Sequence, residues 1–260
     1  RQMCIRDRRR GIRRREGHLP LIAGSLIYRL GRTEITMKYL VIDTETTGLF
    51  NFKLPADADG QPRLAHLAMI WADADGIELD RQDLYVRPNG WSMPQGPGSA
   101  GAVNGLKDDF LHEHGADIAD VLEQYLEEVR RGLVVVAYNA QYDLKVMRGE
   151  LRRAGKPDLF EQTKNVCVMR PMTALCKITY ANRGGYKFPN LGEALAYFGH
   201  ELHDAHKAMN DAEGALIVMR ELLKLGELPT PAVHYAKEKP VEKLPKPRRR
   251  SKSTDFVGSF

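Results

Sequence analysis

The chain has 260 residues, of which 43% are hydrophobic and 28% are charged, a composition that suits one large or two small globular domains. That composition excludes collagen-like, coiled-coil and disulfide-framework proteins. No run approaches the roughly 20 uninterrupted apolar residues that span a bilayer, because even residues 19–30 contain Pro20, Gly24 and Arg29. We therefore expect a protein without a membrane segment.

The three cysteines are sparse and form no C-x-x-C pair: Cys4, Cys167 and Cys176. This pattern predicts neither a zinc site nor a disulfide scaffold. A reducing compartment fits best, and we expect a cytoplasmic protein.

Charge is distributed unevenly along the chain. The net charge is +5, yet residues 1–36 carry +7 and residues 237–260 carry +5, so residues 37–236 carry −7. A pI near 9 usually indicates a basic nucleic-acid-binding face, but here the basic residues flank an acidic centre. The three parts therefore need separate interpretations.

The two ends are predicted to lie outside the folded domain. Residues 1–36 show no sustained period, and Met37 resembles an ordinary start, so we interpret this basic leader as non-native or disordered sequence. An organelle presequence and a nucleic-acid-binding arm remain alternatives. Residues 229–260, rich in Pro, Lys and Arg, predict a disordered basic tail. The folded domain is therefore expected at residues 37–228, as a single unit.

Within that domain, apolar runs and helical spacing alternate along the chain. In chain order, the patterns predict strands at 39–42, 64–71 and 77–86, a long loop at 87–105, a helix at 117–129, a strand at 133–137, a helix at 141–154, a strand at 166–168, and helices at 190–198 and 211–225. Strands that come first and then alternate with helices predict an α/β fold with a mixed five-stranded sheet flanked by helices.

Four acidic residues fall at the ends of these elements. Asp43 and Glu45 end the first strand, where the period of two places both carboxylates on one face, and two like charges there are costly without a cation. Asp143 opens the helix after the fourth strand, and Asp211 starts the last helix. Taken alone, Asp143 and Asp211 are ordinary residues for a helix N-terminus.

Together with their neighbours, these residues resemble a known family. Asp43-x-Glu-Thr-Thr-Gly, Asn139-x-x-Tyr-Asp and His206-Lys-Ala-Met-Asn-Asp are similar to the three motifs of the DEDDh 3′–5′ exonucleases, the family that includes the proofreading epsilon subunit of bacterial DNA polymerase III. The resemblance runs from about residue 38 to 225 in motif order and spacing. The segment Ala102-Val-Asn-Gly-Leu-Lys and the segment that begins at Asn190 resemble further parts of the family.

The resemblance implies a ribonuclease H-like fold and phosphodiester hydrolysis with two divalent cations, Mg²⁺ or Mn²⁺. By resemblance, the ligands are Asp43, Glu45, Asp143 and Asp211. His206 is then the general base, and it is expected in the loop before the last helix. His203, three residues earlier, is expected to have no role.

The family's substrate contacts are implied less directly. They point to Thr46, Gly48, Leu49 and Asn139, with Leu49 beside the terminal nucleotide; simple loop packing is the alternative for Leu49 and its neighbour Phe50. Tyr138 stands where many members carry His, which puts a substrate role at this position in doubt. Residues 50–63 look like an inserted loop beside the site.

The expected function is therefore a metal-dependent exonuclease that acts on single-stranded nucleic acid 3′ ends, with DNA favoured and a DNA polymerase as a candidate partner. A 3′–5′ exoribonuclease of the same fold and a non-cleaving interaction module are the alternatives. The presence of all five predicted catalytic residues counts against the second.

Overall fold

The computed structural model of the protein describes residues 27–30 and 33–235. Its strands are β1 (Ile27–Leu30), β2 (Thr33–Thr36), β3 (Tyr39–Thr46), β4 (Leu64–Ala72), β5 (Glu78–Tyr85), β6 (Val134–Ala137) and β7 (Asn165–Cys167). Its helices are α1 (Ala100–Asn104), α2 (Asp108–His114), α3 (Ile118–Arg130), α4 (Ala140–Arg153), α5 (Met169–Cys176), α6 (Leu191–Tyr197) and α7 (Ala208–Leu225).

Five of the strands form one mixed sheet, in the order β5-β4-β3-β6-β7. β4 pairs antiparallel with both β3 and β5, while β6 pairs parallel with both β3 and β7. This arrangement confirms the mixed five-stranded sheet expected from the sequence. β3 is its central strand and carries Asp43 and Glu45 within its last four residues.

Helices cover both faces of the sheet. Successive side chains of β3 point to opposite faces, so alternate residues pack against different helices. Leu40 and Ile42 pack in the core beneath α3 and α4. Tyr39 and Val41 pack in the opposite core, beneath α6 and α7. Residues 43 and 45 share the parity of 39 and 41, so their carboxylates face α7.

Three short helices were not predicted from the sequence. α1 lies in the predicted loop 87–105, and α2 and α5 have only seven and eight residues. Their stretches are too short to show a helical period. α1 is instead defined by its ends: the Ser99 side chain accepts from the N–H of Ala102, and Gly105 closes the helix at φ 75°. The last helix begins at Ala208, which places Asp211 in its first turn rather than at its start.

β1 and β2 lie inside the basic leader 1–36. They pair antiparallel with each other and with no strand of the five-stranded sheet. The sequence analysis predicted no regular structure here, because strands of four residues are too short to establish a period. Residues 1–26 and 31–32 lie outside the described residues.

The chain also contacts the domain beyond the predicted boundary at residue 228. Ala232 bridges to Asn165 next to β7, and the Asn165 Nδ2 donates to the carbonyl of His234 at 3.2 Å. Arg148 Nη1 donates to the carbonyl of Tyr235 at 3.1 Å. These bonds use backbone groups, which a composition-based boundary cannot detect. The remainder of the predicted tail, residues 236–260, lies outside the described residues.

Among the described residues, no helix combines the length and the apolar character that crossing a membrane requires.

Candidate active site

Three carboxylates meet at the end of β3. Asp43 and Glu45 project toward α7, and Asp211 reaches them from the first turn of that helix. One oxygen atom of each side chain lies within 4.8 Å of the other two. No second cluster of three or more His, Cys, Asp or Glu side chains with this arrangement occurs in the described part of the chain.

Asp143, the fourth predicted ligand, borders this group. It lies in the first turn of α4 and is buried. Thr44, which points to the opposite face of β3 from Asp43, donates from Oγ1 to Asp143 Oδ1 at 2.8 Å. Burial, and after burial the charge of Asp143, raise the pKa of Asp43 well above its usual value. The fold therefore brings all four predicted acids into electrostatic contact.

Desolvation raises the pKa of every acid in this set, and repulsion by neighbouring acids adds to it for Asp43, Glu45 and Asp143. Burial and then the charge of Asp211 raise the pKa of Glu45 to about 8, although a hydrogen bond from Asn104 opposes them. Burial raises the pKa of Asp143 to about 7. Burial also raises the pKa of Asp211, against the lowering effect of the backbone N–H of His206. A cation bound between these partly buried acids would therefore stabilise their ionised forms.

The donor set fits a hard divalent cation. Asp211 Oδ1 is buried and accepts no hydrogen bond from the described residues, which is costly for a carboxylate oxygen unless another group takes its place. The ligands are all oxygen atoms, as Mg²⁺ and Mn²⁺ prefer. Asp43, Glu45, Asp211 and Asp143 are therefore suited to hold such ions.

His206 lies in the loop that enters α7, where the sequence analysis expected it. Its φ of 67° is in the left-handed region, which is strained for a residue with a side chain. The backbone N–H of His206 donates to Asp211 Oδ2 at 3.1 Å, and Asn210 Nδ2 donates to the carbonyls of His203 and Asp204 at 3.2 Å each. These bonds hold the loop and place His206 on the wall of a cavity beside the acids.

Hydroxyl groups hold the Thr-Thr-Gly turn after β3. Thr46 Oγ1 and Tyr142 Oη lie 2.7 Å apart, and each donates to the carbonyl of Gly48 at 2.7 Å. Leu49 is 90% exposed, whereas Phe50 is buried with its ring edge-on to Tyr142. Loop packing therefore accounts for Phe50 but leaves Leu49 without a structural role in the described residues.

Tyr138 and Asn139 precede α4 in different surroundings. Asn139 is the N-cap of α4, but its exposed side chain makes no capping hydrogen bond. Tyr138 is buried, and its Oη donates to the carbonyls of Pro189 and Asn190 at 2.9 Å each. Burial also raises the pKa of Tyr138. The Tyr138 ring is thus a structural tie to the segment before α6 and is not available for stacking on a base.

The cavity beside the acids contains residues to which the sequence analysis gave no role. Besides Glu45 and His206, its wall includes His66, Asp83, Tyr85, Asn104, Leu106, Phe110 and Met209. The segment around Asn104 was noticed only as a family resemblance. The others become neighbours of the site through strand pairing, such as that of Glu45 with His66, which no local motif reveals.

Aromatic rings form a connected row along this wall. The rings of His66 and Tyr85 stack with centroids 4.1 Å apart, and Phe110 meets Tyr85 edge-on at 4.9 Å. His66 Nε2 lies 2.5 Å from Asp83 Oδ1. Phe110 is 38% exposed, so the row offers an open aromatic surface within the same cavity as the acids.

The sheet has the ribonuclease H-like order, and its central strand ends in an acidic site that suits divalent cations. These features together are typical of the metal-dependent nucleases. The exonuclease family RNase T matches residues 40–219, more than half of the chain, and the chain belongs to this family. The resemblance to the DEDDh 3′–5′ exonucleases is confirmed.

Individual relatives agree with this assignment. The 3′–5′ exonuclease DinG of Bacillus subtilis is 28% identical over 200 residues, which cover 75% of this chain and 19% of DinG. The DNA polymerase III subunit epsilon of Treponema pallidum is 26% identical over 200 residues, which cover 77% of this chain and 79% of that protein.

Solved structures share the fold. E. coli exonuclease I in complex with a dA16 oligonucleotide superposes with a TM-score of 0.57 at 21% identity, covering 72% of this chain and 40% of that protein. Cell-death related nuclease 4 superposes with a TM-score of 0.55 at 15% identity, covering 73% and 65%. The chain therefore spans about a fifth of DinG and two fifths of exonuclease I.

Proposed function

We propose that this domain is a metal-dependent 3′–5′ exonuclease that hydrolyses phosphodiester bonds at single-stranded 3′ ends, with DNA favoured over RNA. The observation that carries the proposal is the meeting of Asp43, Glu45 and Asp211 within 4.8 Å, with Asp143 at their border. Membership of the exonuclease family supports it.

The four acids are proposed to hold two Mg²⁺ or Mn²⁺ ions. When bound, such a pair of ions activates water and stabilises the leaving 3′ oxygen. The chain itself contributes four carboxylates that the fold holds close together. Their crowding and burial raise the pKa of Glu45 and Asp143, and bound cations would offset this cost. The unpartnered Asp211 Oδ1 supports its assignment as a ligand.

His206 is proposed as the general base that takes a proton from the attacking water. Its strained backbone and its N–H bond to Asp211 fix the loop next to the acids. A histidine suits this work because it exchanges protons near neutral pH. His203, in contrast, does not line the cavity.

The cavity is proposed to receive the terminal nucleotide. Tyr85 and Phe110 offer rings on which a base can stack without regard to its identity. Thr46, Gly48, Leu49 and Asn139 stay proposed substrate contacts by family resemblance: Leu49 and the Asn139 side chain are exposed. For Thr46 we expect a role of its backbone, because its hydroxyl is bonded within the turn.

The names of the relatives support DNA as the substrate and a DNA polymerase as a partner. One relative is a subunit of DNA polymerase III, and exonuclease I binds a dA16 oligonucleotide in its solved structure. RNA is the alternative substrate.

A cleavage assay tests this function. The purified chain is incubated with Mg²⁺ or Mn²⁺ and 5′-labelled single-stranded DNA, RNA, duplex DNA and duplex DNA with a mismatched 3′ end. We expect stepwise shortening of single-stranded DNA from its 3′ end, abolished by EDTA and by Asp43→Ala. Absence of cleavage of every substrate would overturn the proposal in favour of a non-cleaving interaction module.

A further inference from the structure

A hairpin between α5 and α6 plays no part in the proposed chemistry. We call residues 177–188 the basic hairpin. The N–H of Lys187 donates to the carbonyl of Ile178 at 2.8 Å, and the N–H of Tyr180 donates to that of Gly185 at 3.3 Å. Gly185, at φ 92°, allows the chain to reverse. The hairpin is thus a formed structure on the surface of the domain.

The charge of this region is opposite to that of the rest of the domain. Between Glu161 and Glu193 there is no acidic residue, but there are five basic ones: Lys164, Arg170, Lys177, Arg183 and Lys187. Lys187 pairs with Glu193, whereas Lys177 and Arg183 are exposed. In a central region of net charge −7, the hairpin is a local attractor for anions.

The basic hairpin also exposes aromatic rings. Tyr186 and Phe188 are 47% and 54% exposed, and they are two residues apart at the Thr179–Tyr186 bridge, the spacing that puts side chains on one side of an extended chain. The guanidinium of Arg183 lies 3.7 Å from the centroid of the Tyr180 ring. Exposed rings next to exposed cations are the surface that single-stranded nucleic acids bind.

The base of the hairpin is fixed beside the active site. Tyr138, next to the start of α4, donates to the carbonyls of Pro189 and Asn190. Leu191 packs onto α7 at Gly214, where a Cβ would lie only 2.9 Å from Leu191 Cδ2. Gly214 is one turn after Asp211, so the end of the hairpin is anchored to the helix that carries Asp211 and to the segment before the helix that carries Asp143.

We propose that the basic hairpin binds the single strand on the 5′ side of its two 3′-terminal nucleotides. Bases stack on Tyr186 and Phe188, and Lys177 and Arg183 contact phosphates. The inference rests on the proposed function for the identity of the bound strand. The chain's own basic tail is a poor candidate to bind the hairpin, because residues 237–260 carry +5 and the hairpin is also basic.

Binding of two oligonucleotides tests the stacking. The probes are a labelled oligothymidylate and a matched strand whose bases are absent except in the two 3′-terminal nucleotides, both titrated in Ca²⁺. The Tyr186→Ala/Phe188→Ala variant should bind the oligothymidylate about 10-fold or more weakly than wild type and the abasic strand equally. Tyr197→Ala, which removes a 49% exposed ring of α6, is the matched control and should change neither.

Salt dependence tests the phosphate contacts. Lys177→Gln/Arg183→Gln should reduce the log-log salt slope of oligothymidylate binding by about 1.4, since each phosphate contact on a single strand contributes about 0.7. Lys224→Gln, an exposed cation at the end of α7, should leave the slope unchanged. Thermal melting of each variant verifies that it is folded.

Cleavage of a thymidine dinucleotide separates the inference from the proposed function, because this substrate is too short to reach the hairpin. If the hairpin variants cleave the dinucleotide as fast as wild type but bind the oligothymidylate more weakly, both the proposed function and the hairpin inference are supported. Unaltered oligothymidylate binding, or equal weakening on both probes, overturns the inference even if cleavage proceeds. Failure of the wild type to cleave any DNA overturns the function, while the binding comparison still decides the inference.

Discussion

Asp43, Glu45 and Asp211 are partly buried, and desolvation raises the pKa of each; neighbouring acids raise the pKa of Asp43 and Glu45 further. Such an arrangement destabilises the metal-free protein, since buried like charges repel. A structural role would place acids next to cations instead, as happens for Asp158 beside Arg148 and Arg152. The contrast between these two kinds of acid supports the proposal that the cluster binds cations.

Replacing one acid of the cluster should separate activity from stability. We expect Asp43→Ala or Asp211→Asn to lower the cleavage rate by several orders of magnitude and to raise the melting temperature of the metal-free protein. Single-turnover cleavage and thermal melting in EDTA measure the two effects. Asp75→Ala, which removes an exposed carboxylate from a turn, is the control. Near wild-type turnover by Asp43→Ala would contradict the mechanism.

His206→Ala should lower the turnover rate and remove its rise with pH, because the proton acceptor is lost. His203→Ala is the matched control, since within residues 33–235 the hydrogen bond at His203 is made by its backbone carbonyl, which accepts from Asn210. pH–rate profiles of both variants provide the measurement. Equal losses in the two variants would show that the base has been assigned to the wrong residue.

The grouping of the acids and the position of His206 in the loop before α7 could be predicted from the sequence because motif spacing and strand parity are local properties. Asp43 and Glu45 share a face by the period of a strand, whatever surrounds them. The environment of Tyr138 could not be predicted, because its hydrogen-bond partners are about 50 residues away in the chain. The roles of His66 and Phe110 likewise depend on tertiary contacts.

At the scale of elements, α4 fastens the inserted loop 50–63 to the domain. Glu150 is 1% exposed and accepts from Arg63 Nε at 2.8 Å, from Arg153 Nη1 at 3.0 Å and from the N–H of Leu64 at 3.1 Å. Within the loop, Gln61 Nε2 donates to the carbonyls of Asn51 and Pro55 at 2.9 Å each. The insertion beside the site is therefore an ordered part of the fold.

Removing Glu150 should destabilise the protein strongly. Glu150→Ala leaves the partly buried Arg63 and Arg153 without their shared carboxylate, and we expect a loss of about 2–3 kcal/mol in the free energy of unfolding. Urea denaturation measures it. Glu123→Ala is the control, because Glu123 also pairs with two cations, Arg130 and Lys156, but at the surface. A change no larger than that of the control would contradict this role.

Element boundaries were predictable where a pattern extends over several turns. α3 and α4 begin and end within one residue of the predicted helices, because each presents a long apolar stripe. The five residues of α1 offer no such stripe, and caps rather than periodicity define them. The packing of residues 229–235 against β7 also escaped prediction, since backbone hydrogen bonds carry it.

At the scale of the molecule, the metal-free protein should lose stability as the pH rises. Glu45 and Asp143 have ordinary pKa values of 4.5 and 3.8, which the fold raises to about 8 and about 7. The folded state therefore holds their protons more tightly than the unfolded chain, and stability falls between about pH 4 and pH 8. Melting in EDTA across this range measures the fall.

Two comparisons assign this fall to the acidic cluster. Mn²⁺ added at pH 8 should restore the lost stability, because it neutralises the repelling carboxylates. Asp43→Asn should flatten the metal-free pH profile, because burial and the neighbouring acids also raise the pKa of Asp43. A metal-free profile that is level from pH 4 to pH 8 would contradict the interpretation.

The basic tail should affect substrate binding more than catalysis. Residues 237–260 carry eight basic side chains next to a central region of charge −7. If about four of them contact phosphates, the log-log salt slope of binding is steeper by about 3. Deleting 237–260 should flatten that slope and leave the rate at saturating substrate unchanged. Identical slopes, measured with an oligonucleotide in Ca²⁺, would instead favour a solvated tail or a docking segment for a protein.

β3 is hydrogen-bonded along its length to β4 and over residues 39–41 also to β6, so we expect its amides to be among the slowest in the domain to exchange with solvent. The loop that carries His206 is held by hydrogen bonds to the side chains of Asp211 and Asn210 and belongs to no strand or helix, so we expect its amides to exchange faster. The two walls of the candidate site thus belong to parts of the fold with different local stability.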